Sequence, residues 1–176
     1  MKKCDTDEYI DIVNENMVPI GVASRKEVHD LGHWHITFHA WVVIKQNEKN
    51  YLLFQKRHGS KDIHPNKLDV SAAGHYLHGE KAEDGIRELN EELGIEVTYD
   101  ELDFLGIFKG SYEAEGVLDR EFNRIYLLKK EYSLSDFKIQ KSELSGLYLI
   151  EIEAFQSLID EESIDCLLYT SPSPRD

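Results

Sequence analysis

The sequence predicts a mixed α/β (α+β) fold in a single domain. Three observations predict it: short runs of aliphatic, aromatic and β-branched residues recur along the chain, one amphipathic helix stands near its middle, and neither a repeat nor a linker interrupts it. The 176 residues fit one domain, and 41% hydrophobic with 31% charged residues is the composition of an ordinary globular protein. A fibre and a disordered chain are therefore excluded.

The predicted strands start with a hairpin. Tyr9–Val13 and Val18–Ala23 are rich in β-branched residues and flank a polar turn, so we expect a hairpin at an edge of the sheet. Two longer antiparallel strands are predicted over 34–45 and 51–56, and a short strand over 68–73 follows. Further strands are expected at 102–108, 122–130 and 146–150.

One segment, Ala82–Leu93, has the pattern of an amphipathic α-helix. Ile86, Leu89 and Leu93 recur at helical spacing, charged residues fill the other faces, and a glycine follows the last of them. A closing helix is expected over 152–159. Strands and helices in this order predict a sheet with helices packed on it.

The charge of the chain excludes several partners. Thirty-four acidic against twenty basic residues give a formal charge of −14, which repels nucleic acid and anionic membranes, so neither is an expected partner. An anionic substrate would need cations to mediate its binding. No apolar run approaches the roughly 18 to 20 residues that span a bilayer, no apolar segment follows the first lysines, and two cysteines make no disulfide framework. We therefore expect a cytoplasmic protein.

The last residues differ abruptly in composition from the rest. From Cys166 to Asp176 the chain reads CLLYTSPSPRD, which looks like the in-frame translation of a sequencing adapter. The alternative is a natural disordered tail. On the first interpretation the domain covers residues 1–165 and the natural chain continues beyond Asp165.

Three glutamates crowd one edge of the predicted central helix. Glu88 and Glu92 are four residues apart and Glu91 lies one step round, so like charges repel there by a few tenths of a kcal/mol per pair. A hard divalent cation, Mg²⁺ or Mn²⁺, converts such repulsion into binding. The alternative is a solvated acidic face.

The string around these glutamates resembles the signature of the Nudix hydrolases. Residues 87–95 read Arg-Glu-Leu-x-Glu-Glu-x-Gly-Ile, and a Gly-x5-Glu loop at 74–80 precedes them. The resemblance implies the Nudix fold, a mixed β-sheet sandwiched between α-helices, and substrates in which a diphosphate links two groups. It also implies metal ligation by Glu88, Glu92 and the Gly74 carbonyl, with Glu91 as a further ligand or the general base.

The same resemblance gives Arg87 an orienting role, with Glu80 as its partner. The family pattern has seven residues between this Glu and this Arg, whereas Lys81 to Ile86 supply six. A missing residue rotates an α-helix by about 100° relative to the preceding loop unless the loop absorbs it. We expect the adjustment near Gly85, a residue that costs about 1 kcal/mol in a helix interior.

Most of residues 8–160 resemble the Nudix branch that is similar to isopentenyl diphosphate isomerase. The strings EYIDIVNEN, ASRKEVHDLGHWHITFHAWVV, QKRHGSKDIHPNKLDVSAAGH and LDREFNRIYLL carry this resemblance. It implies a possible second metal site of three histidines and two acidic residues, although a single histidine is more often a structural hydrogen-bonding group. The matching residues are His29, His35, His75, Asp119 and Glu121, and Glu121 is also a second candidate for the general base.

Two further positions of the resemblance bear on the reaction. The isomerase needs a cysteine directly before the Gly-His pair, where this chain has Ala73, and an alanine cannot move a proton. Arg57 and Lys61 match a basic pair that grips a diphosphate, although both are equally consistent with solvated surface charges.

These features predict a Mg²⁺-dependent (or Mn²⁺-dependent) hydrolase that cleaves a diphosphate linkage in a nucleoside diphosphate derivative or a related organic diphosphate. Two alternatives stay open: an isopentenyl diphosphate isomerase-like enzyme, and a non-catalytic Nudix module that binds diphosphates. The expected partner is a small molecule, and a homodimer is possible through the N-terminal edge of the sheet.

Overall fold

The computed structural model describes residues 8–60, 65–114 and 117–160. Lys61 and the segment 166–176 lie outside the described residues. The strands are β1 (Tyr9–Val13), β2 (Pro19–Ser24), β3 (Trp34–Gln46), β4 (Lys49–Arg57), β5 (Leu68–Asp69), β6 (Ala72–His75), β7 (Leu102–Ala114), β8 (Val117–Lys129) and β9 (Leu144–Glu151). The α-helices are α1 (Arg25–Leu31), α2 (Arg87–Leu93) and α3 (Ile152–Asp160), and 3₁₀ turns cover Ala82–Ile86, Tyr99–Glu101 and Leu134–Asp136.

Strand β3 is the centre of one mixed sheet, as expected of an α+β fold. It runs parallel to β8 along one edge and pairs antiparallel with β6 and then β4 along the other. This arrangement sets Thr37 opposite His75 and His35 beside Glu121. Because residues in register share a face of the sheet, it gathers side chains that are far apart in sequence.

The predicted N-terminal hairpin is confirmed, with β2 at an edge of the sheet, and so are the paired strands β3 and β4. The single strand predicted over 68–73 is wrong, because β5 pairs with β4 whereas β6 pairs with β3. Ser71 lies between them, where its hydroxyl accepts from the Val42 amide at 2.8 Å and donates to the Leu53 carbonyl. At Ser71 the chain thus crosses from pairing with β4 to pairing with β3.

Helices cover both faces of the sheet. Leu89 and Leu93 of α2 are fully buried and join the core cluster that contains Phe38. On the other face, Phe155 of α3 packs on Trp41, with ring centroids 6.4 Å apart. Phe38 and Trp41 point to opposite faces because side chains alternate along a strand. In the part of the chain that the structure describes, every helix is too short or too polar to cross a bilayer.

The α-helix predicted over Ala82–Leu93 is wrong in its first part, which is a 3₁₀ turn, and the α-helix begins at Arg87. Gly85 lies in that turn, and a Cβ there would stand 2.5 Å from Cδ2 of Phe38. The turn therefore packs on the sheet more closely than any larger residue permits.

We expect Gly85→Ala to destabilise the protein. Helical preference alone would favour alanine by about 1 kcal/mol, but overpacking against Phe38 costs about 1 to 3 kcal/mol. The net result is a free energy of unfolding lower by about 1 kcal/mol, measured by equilibrium urea denaturation. The control is Gly146→Ala, whose Cβ meets no atom closer than 3.7 Å. A more stable Gly85→Ala variant would contradict the steric account.

Candidate active site

Glu88 and Gly74 form the closest contact between α2 and strand β6. A Cβ at Gly74 would lie 2.0 Å from Oε1 of Glu88, so the carboxylate occupies the space that any side chain would fill. The Glu88 side chain is only 10% exposed. Burial raises its pKa to about 7, against the opposing attraction of Arg87. Carboxylate and backbone carbonyl oxygen, side by side, are the donor types that Mg²⁺ and Mn²⁺ prefer.

Glu92, one turn later, is fixed by two donors from the sheet. Its Oε2 accepts from the Ala73 amide at 3.1 Å and from Nε2 of Gln55 at 3.2 Å. Glu92 and Gln55 are both buried, and Oε1 of Gln55 is without a hydrogen-bond partner among the described residues. Gln55 was not among the residues predicted from the sequence. Its signal was a lone amide in the apolar strand YLLFQKR, two residues after the core residue Leu53.

Glu91 stands apart from these two carboxylates. Its side chain is 55% exposed, and Oε2 lies 3.5 Å from Nη1 of Arg87. The three helix glutamates therefore do not gather as one group of ligand atoms in the described residues, because only Glu88 and Glu92 turn toward β6. Glu91 faces solvent at the rim of the site.

Arg87 keeps its predicted partner despite the missing residue. Its Nε donates to Oε1 of Glu80 at 2.9 Å, and Nη2 donates to the His75 carbonyl at 2.7 Å. The 3₁₀ turn explains this geometry, because its five residues rise about 2.0 Å each and span about 10 Å, which six to seven α-helical residues would cover. The loop and helix are thus in register although one residue is absent.

Three imidazoles converge on the opposite face of β6. His29 comes from α1, His35 from β3 and His75 from β6, and the Nε2 atoms of His29 and His75 are 3.3 Å apart. Nδ1 of His29 donates to the Arg25 carbonyl, and Nδ1 of His35 donates to the His33 carbonyl. A ring whose Nδ1 carries the proton presents Nε2 as its ligand atom. Burial lowers the pKa of His75 well below its ordinary value, which favours the neutral, ligating form.

Two carboxylates of β8 complete this cluster. Oδ1 of Asp119 lies 3.7 Å from Nε2 of His29 and 3.8 Å from Nε2 of His35, and Oε1 of Glu121 lies 3.7 Å from the same His35 atom. Potential ligand atoms lie within 4.8 Å of one another in two overlapping groups, the three histidines and the set of His35, Asp119 and Glu121. The structure therefore brings together all five residues of the predicted second site.

Two atoms of the cluster are buried without a hydrogen-bond partner in the described residues: Nε2 of His35 and Oδ1 of Asp119. An unsatisfied buried polar atom costs about 1 to 3 kcal/mol, and buried polar groups are otherwise almost always paired. Burial and the neighbouring Glu121 also raise the pKa of Asp119 to about 7. The donor set and the two orphaned atoms both fit a bound transition metal.

A row of polar side chains orients Glu121. Nδ2 of Asn123 donates to Oε2 of Glu121 at 2.6 Å and to Oγ1 of Thr37 at 2.8 Å, and His39 lies 3.2 Å from the same amide. Burial alone would raise the pKa of Glu121, but attraction by His35 and these contacts lower it to about 2. Asn123, Thr37 and His39 were not among the residues predicted from the sequence. Their signal was polar residues at every second position of two strands.

Of the predicted basic pair, only Arg57 lies among the described residues. Its Nη1 donates to Oδ2 of Asp69 at 3.0 Å, which joins the last residue of β4 to the last residue of the neighbouring strand β5. The ion pair with Asp69 thus fixes Arg57 at the end of the sheet, where its positive charge acts to lower the pKa of Asp119.

Known proteins are similar to this chain over most of its length. The family model described as NUDIX domain matches residues 35–166. An uncharacterized Nudix hydrolase of Clostridium acetobutylicum is 45% identical over 156 residues, which cover 89% of this chain and 76% of that one. An isopentenyl-diphosphate Delta-isomerase of Aliivibrio fischeri is 30% identical over 142 residues, 80% of this chain and 78% of that one.

A solved structure is also similar to the fold. The crystal structure of DR0079 from Deinococcus radiodurans has a TM-score of 0.65 and 24% identity, and the match covers 92% of this chain and 95% of that one. With the signature helix seated on β6 and the family model spanning most of the sequence, the chain belongs to the Nudix hydrolase family, in the branch similar to isopentenyl diphosphate isomerase.

Proposed function

We propose that this chain is a Mg²⁺- or Mn²⁺-dependent hydrolase that cleaves the diphosphate linkage of a small molecule, either a nucleoside diphosphate derivative or a related organic diphosphate. The observation that carries the proposal is the pair of buried carboxylates, Glu88 and Glu92, set against the backbone of β6 at Gly74 and Ala73. Two buried carboxylates one turn apart on a helix repel each other, and a bound cation would offset both this repulsion and their loss of hydration.

Glu88, Glu92 and the Gly74 carbonyl would hold the cation, which when bound supplies charge neutralisation at the diphosphate and a polarised water. Arg87 fixes this group, because one guanidinium contacts Glu80 and Glu88 and also the His75 carbonyl. We assign the general base to Glu91 or Glu121. Glu91 is exposed at the rim, whereas Glu121 is already ionised and oriented by Asn123.

We further propose that the cluster of His29, His35, His75, Asp119 and Glu121 holds a second, transition metal ion. Its support is the two orphaned buried atoms, Nε2 of His35 and Oδ1 of Asp119. Arg57, together with Lys61, would neutralise the diphosphate. In a chain of charge −14, cations at the site are needed before a second anion can approach it.

The competing function is isomerisation of an allylic diphosphate, and the histidine-acid cluster and the 30% identity to an isomerase favour it. Two observations argue against it. Ala73 stands directly before Gly74 in β6, opposite His39, where the isomerases need a thiol. The helix also retains all three glutamates of the hydrolase signature.

A substrate panel separates these two functions. Nucleoside diphosphates and triphosphates, nucleotide sugars, dinucleotides and isoprenoid diphosphates are incubated with Mg²⁺ or Mn²⁺, and the products are resolved by anion-exchange chromatography and mass spectrometry. We expect phosphorylated hydrolysis products from at least one class. The hydrolase proposal would be overturned if isopentenyl diphosphate is converted to its dimethylallyl isomer and no class of substrate is hydrolysed.

Glu92→Gln tests the Mg²⁺ site. The substitution keeps size and hydrogen bonding to Ala73 but removes the charge, so we expect Mg²⁺ affinity and kcat each to fall on the order of tenfold or more. Isothermal titration calorimetry measures the first and steady-state kinetics the second. Glu96→Gln, at an exposed position just after α2, is the matched control and should change neither. Unaltered Mg²⁺ binding by Glu92→Gln would remove the basis of the proposal.

His35→Gln tests the second metal site. Protein purified from medium supplemented with Mn²⁺, Fe²⁺ or Zn²⁺ is analysed by inductively coupled plasma mass spectrometry. We expect about one tightly bound transition metal ion per wild-type chain and less than a tenth of that in His35→Gln, because this side chain is in both ligand groups. His33→Gln, two residues away and outside both groups, should retain the metal. Equal metal content in wild type and His35→Gln would contradict the assignment.

A further inference from the structure

A cavity lies behind the loop that carries Glu80, on the opposite side from the histidine cluster. It has a volume of about 130 Å³ and lies between β1, β3, β8 and the start of the 3₁₀ turn. Its lining includes Ile36, Tyr76, Lys81 and Arg124, together with Asp11 and Glu80. A cavity of roughly 150 Å³ accommodates a benzene ring, so a phosphate group fits here.

Arg124 is the residue of the lining that indicates a ligand. It follows Asn123 in β8 and therefore points to the other face of the sheet, in register with Phe38. The guanidinium is half-buried, and in the described residues it makes no hydrogen bond or ion pair. A partly buried charge without a partner is unfavourable, because it loses hydration and gains nothing in return.

Neither acidic residue of the lining forms an ion pair with Arg124 among the described residues, because the oxygens of each accept hydrogen bonds from other donors. Asp11 accepts from Nδ1 of His78 at 2.7 Å and from the Gly79 amide at 3.2 Å. Glu80 pairs with Arg87 at 2.9 Å and accepts from the Leu77 amide at 2.7 Å. The exposed Lys81 adds a second positive charge at the rim.

We propose that this cavity is an anion site that binds a phosphate group between Arg124 and Lys81, separate from the metal-binding carboxylates. A guanidinium offers paired donors that match the oxygens of a phosphate. In a chain with a charge of −14, an arginine that faces a cavity without an ion pair is a local exception that favours an anion. The bound phosphate would contact the loop that holds Glu80. Because Glu80 pairs with Arg87, a shift of this loop would also move the Arg87 side chain. The site goes beyond the proposed hydrolysis and does not depend on it.

Inorganic phosphate is the probe. Wild-type protein in EDTA, so that no divalent metal takes part, is titrated with phosphate by isothermal titration calorimetry. We expect saturable binding that Arg124→Gln weakens by about tenfold or more, as loss of a charge-assisted bidentate contact predicts. Arg120→Gln removes the same charge from the same strand four residues away, and Glu92→Gln alters the metal site. Both should bind phosphate as the wild type does.

A second measurement uses the wild-type chain alone, in case Arg124→Gln folds poorly. The side-chain Nε–H resonance of Arg124 should shift on addition of phosphate, while that of Arg120 stays in place. Absence of saturable binding, an equal loss in Arg120→Gln, or a stationary Arg124 resonance would each overturn the proposal. If phosphate binding is lost in Glu92→Gln but kept in Arg124→Gln, phosphate binds at the catalytic site only, which also overturns it.

Discussion

The contact between α2 and the edge strand β6 is the constraint on which the rest of the site depends. Glu88 lies where a side chain of residue 74 would be, and Glu92 accepts a hydrogen bond from the amide of Ala73. Glycine is required at position 74 because any Cβ would collide with a carboxylate. Leu89 and Leu93 of the same helix are fully buried in the core, and their burial stabilises the contact.

From this contact the pleat of β6 generates two different chemical environments. Gly74 faces the helix carboxylates, and the next residue, His75, faces His35 and His29 on the other side of the sheet. Arg87 joins the two sides, because it pairs with Glu80 and Glu88 and also donates to the His75 carbonyl. Hard oxygen donors thus stand on one side and a mixed imidazole-carboxylate set on the other, which suits two different metal ions.

Each of the two centres contains a carboxyl group whose pKa is raised. Burial raises the pKa values of Glu88 and Asp119, since an acidic group removed from water resists ionisation. The same crowding that makes these groups unfavourable alone makes them ligands for a cation. In a protein with 34 acidic residues, a bound cation and local basic residues such as Arg57 would together offset the repulsion of an anionic substrate.

The sequence by itself determined the elements whose signals are local. The hairpin over residues 9–24, the long strands β3 and β4 and the spacing of Glu88, Glu91 and Glu92 are all visible in periodicity and turn residues. The sequence also showed that one residue is missing before Arg87. It did not show that a 3₁₀ turn would absorb the loss, because that outcome depends on how closely Gly85 packs on Phe38.

Only the tertiary structure decided which side chains meet. Several contacts join segments that are tens of residues apart in the sequence. They are the hydrogen bond from Gln55 to Glu92, the hydrogen bond from Asn123 to Thr37, and the cluster of His29, His35 and His75. Those contacts follow from the register of β6 and β8 on β3, and register is fixed by packing of the whole sheet rather than by any short stretch of sequence. For the same reason the cavity that Arg124 of β8 faces could be recognised only once the loop after β6 had been placed beside it.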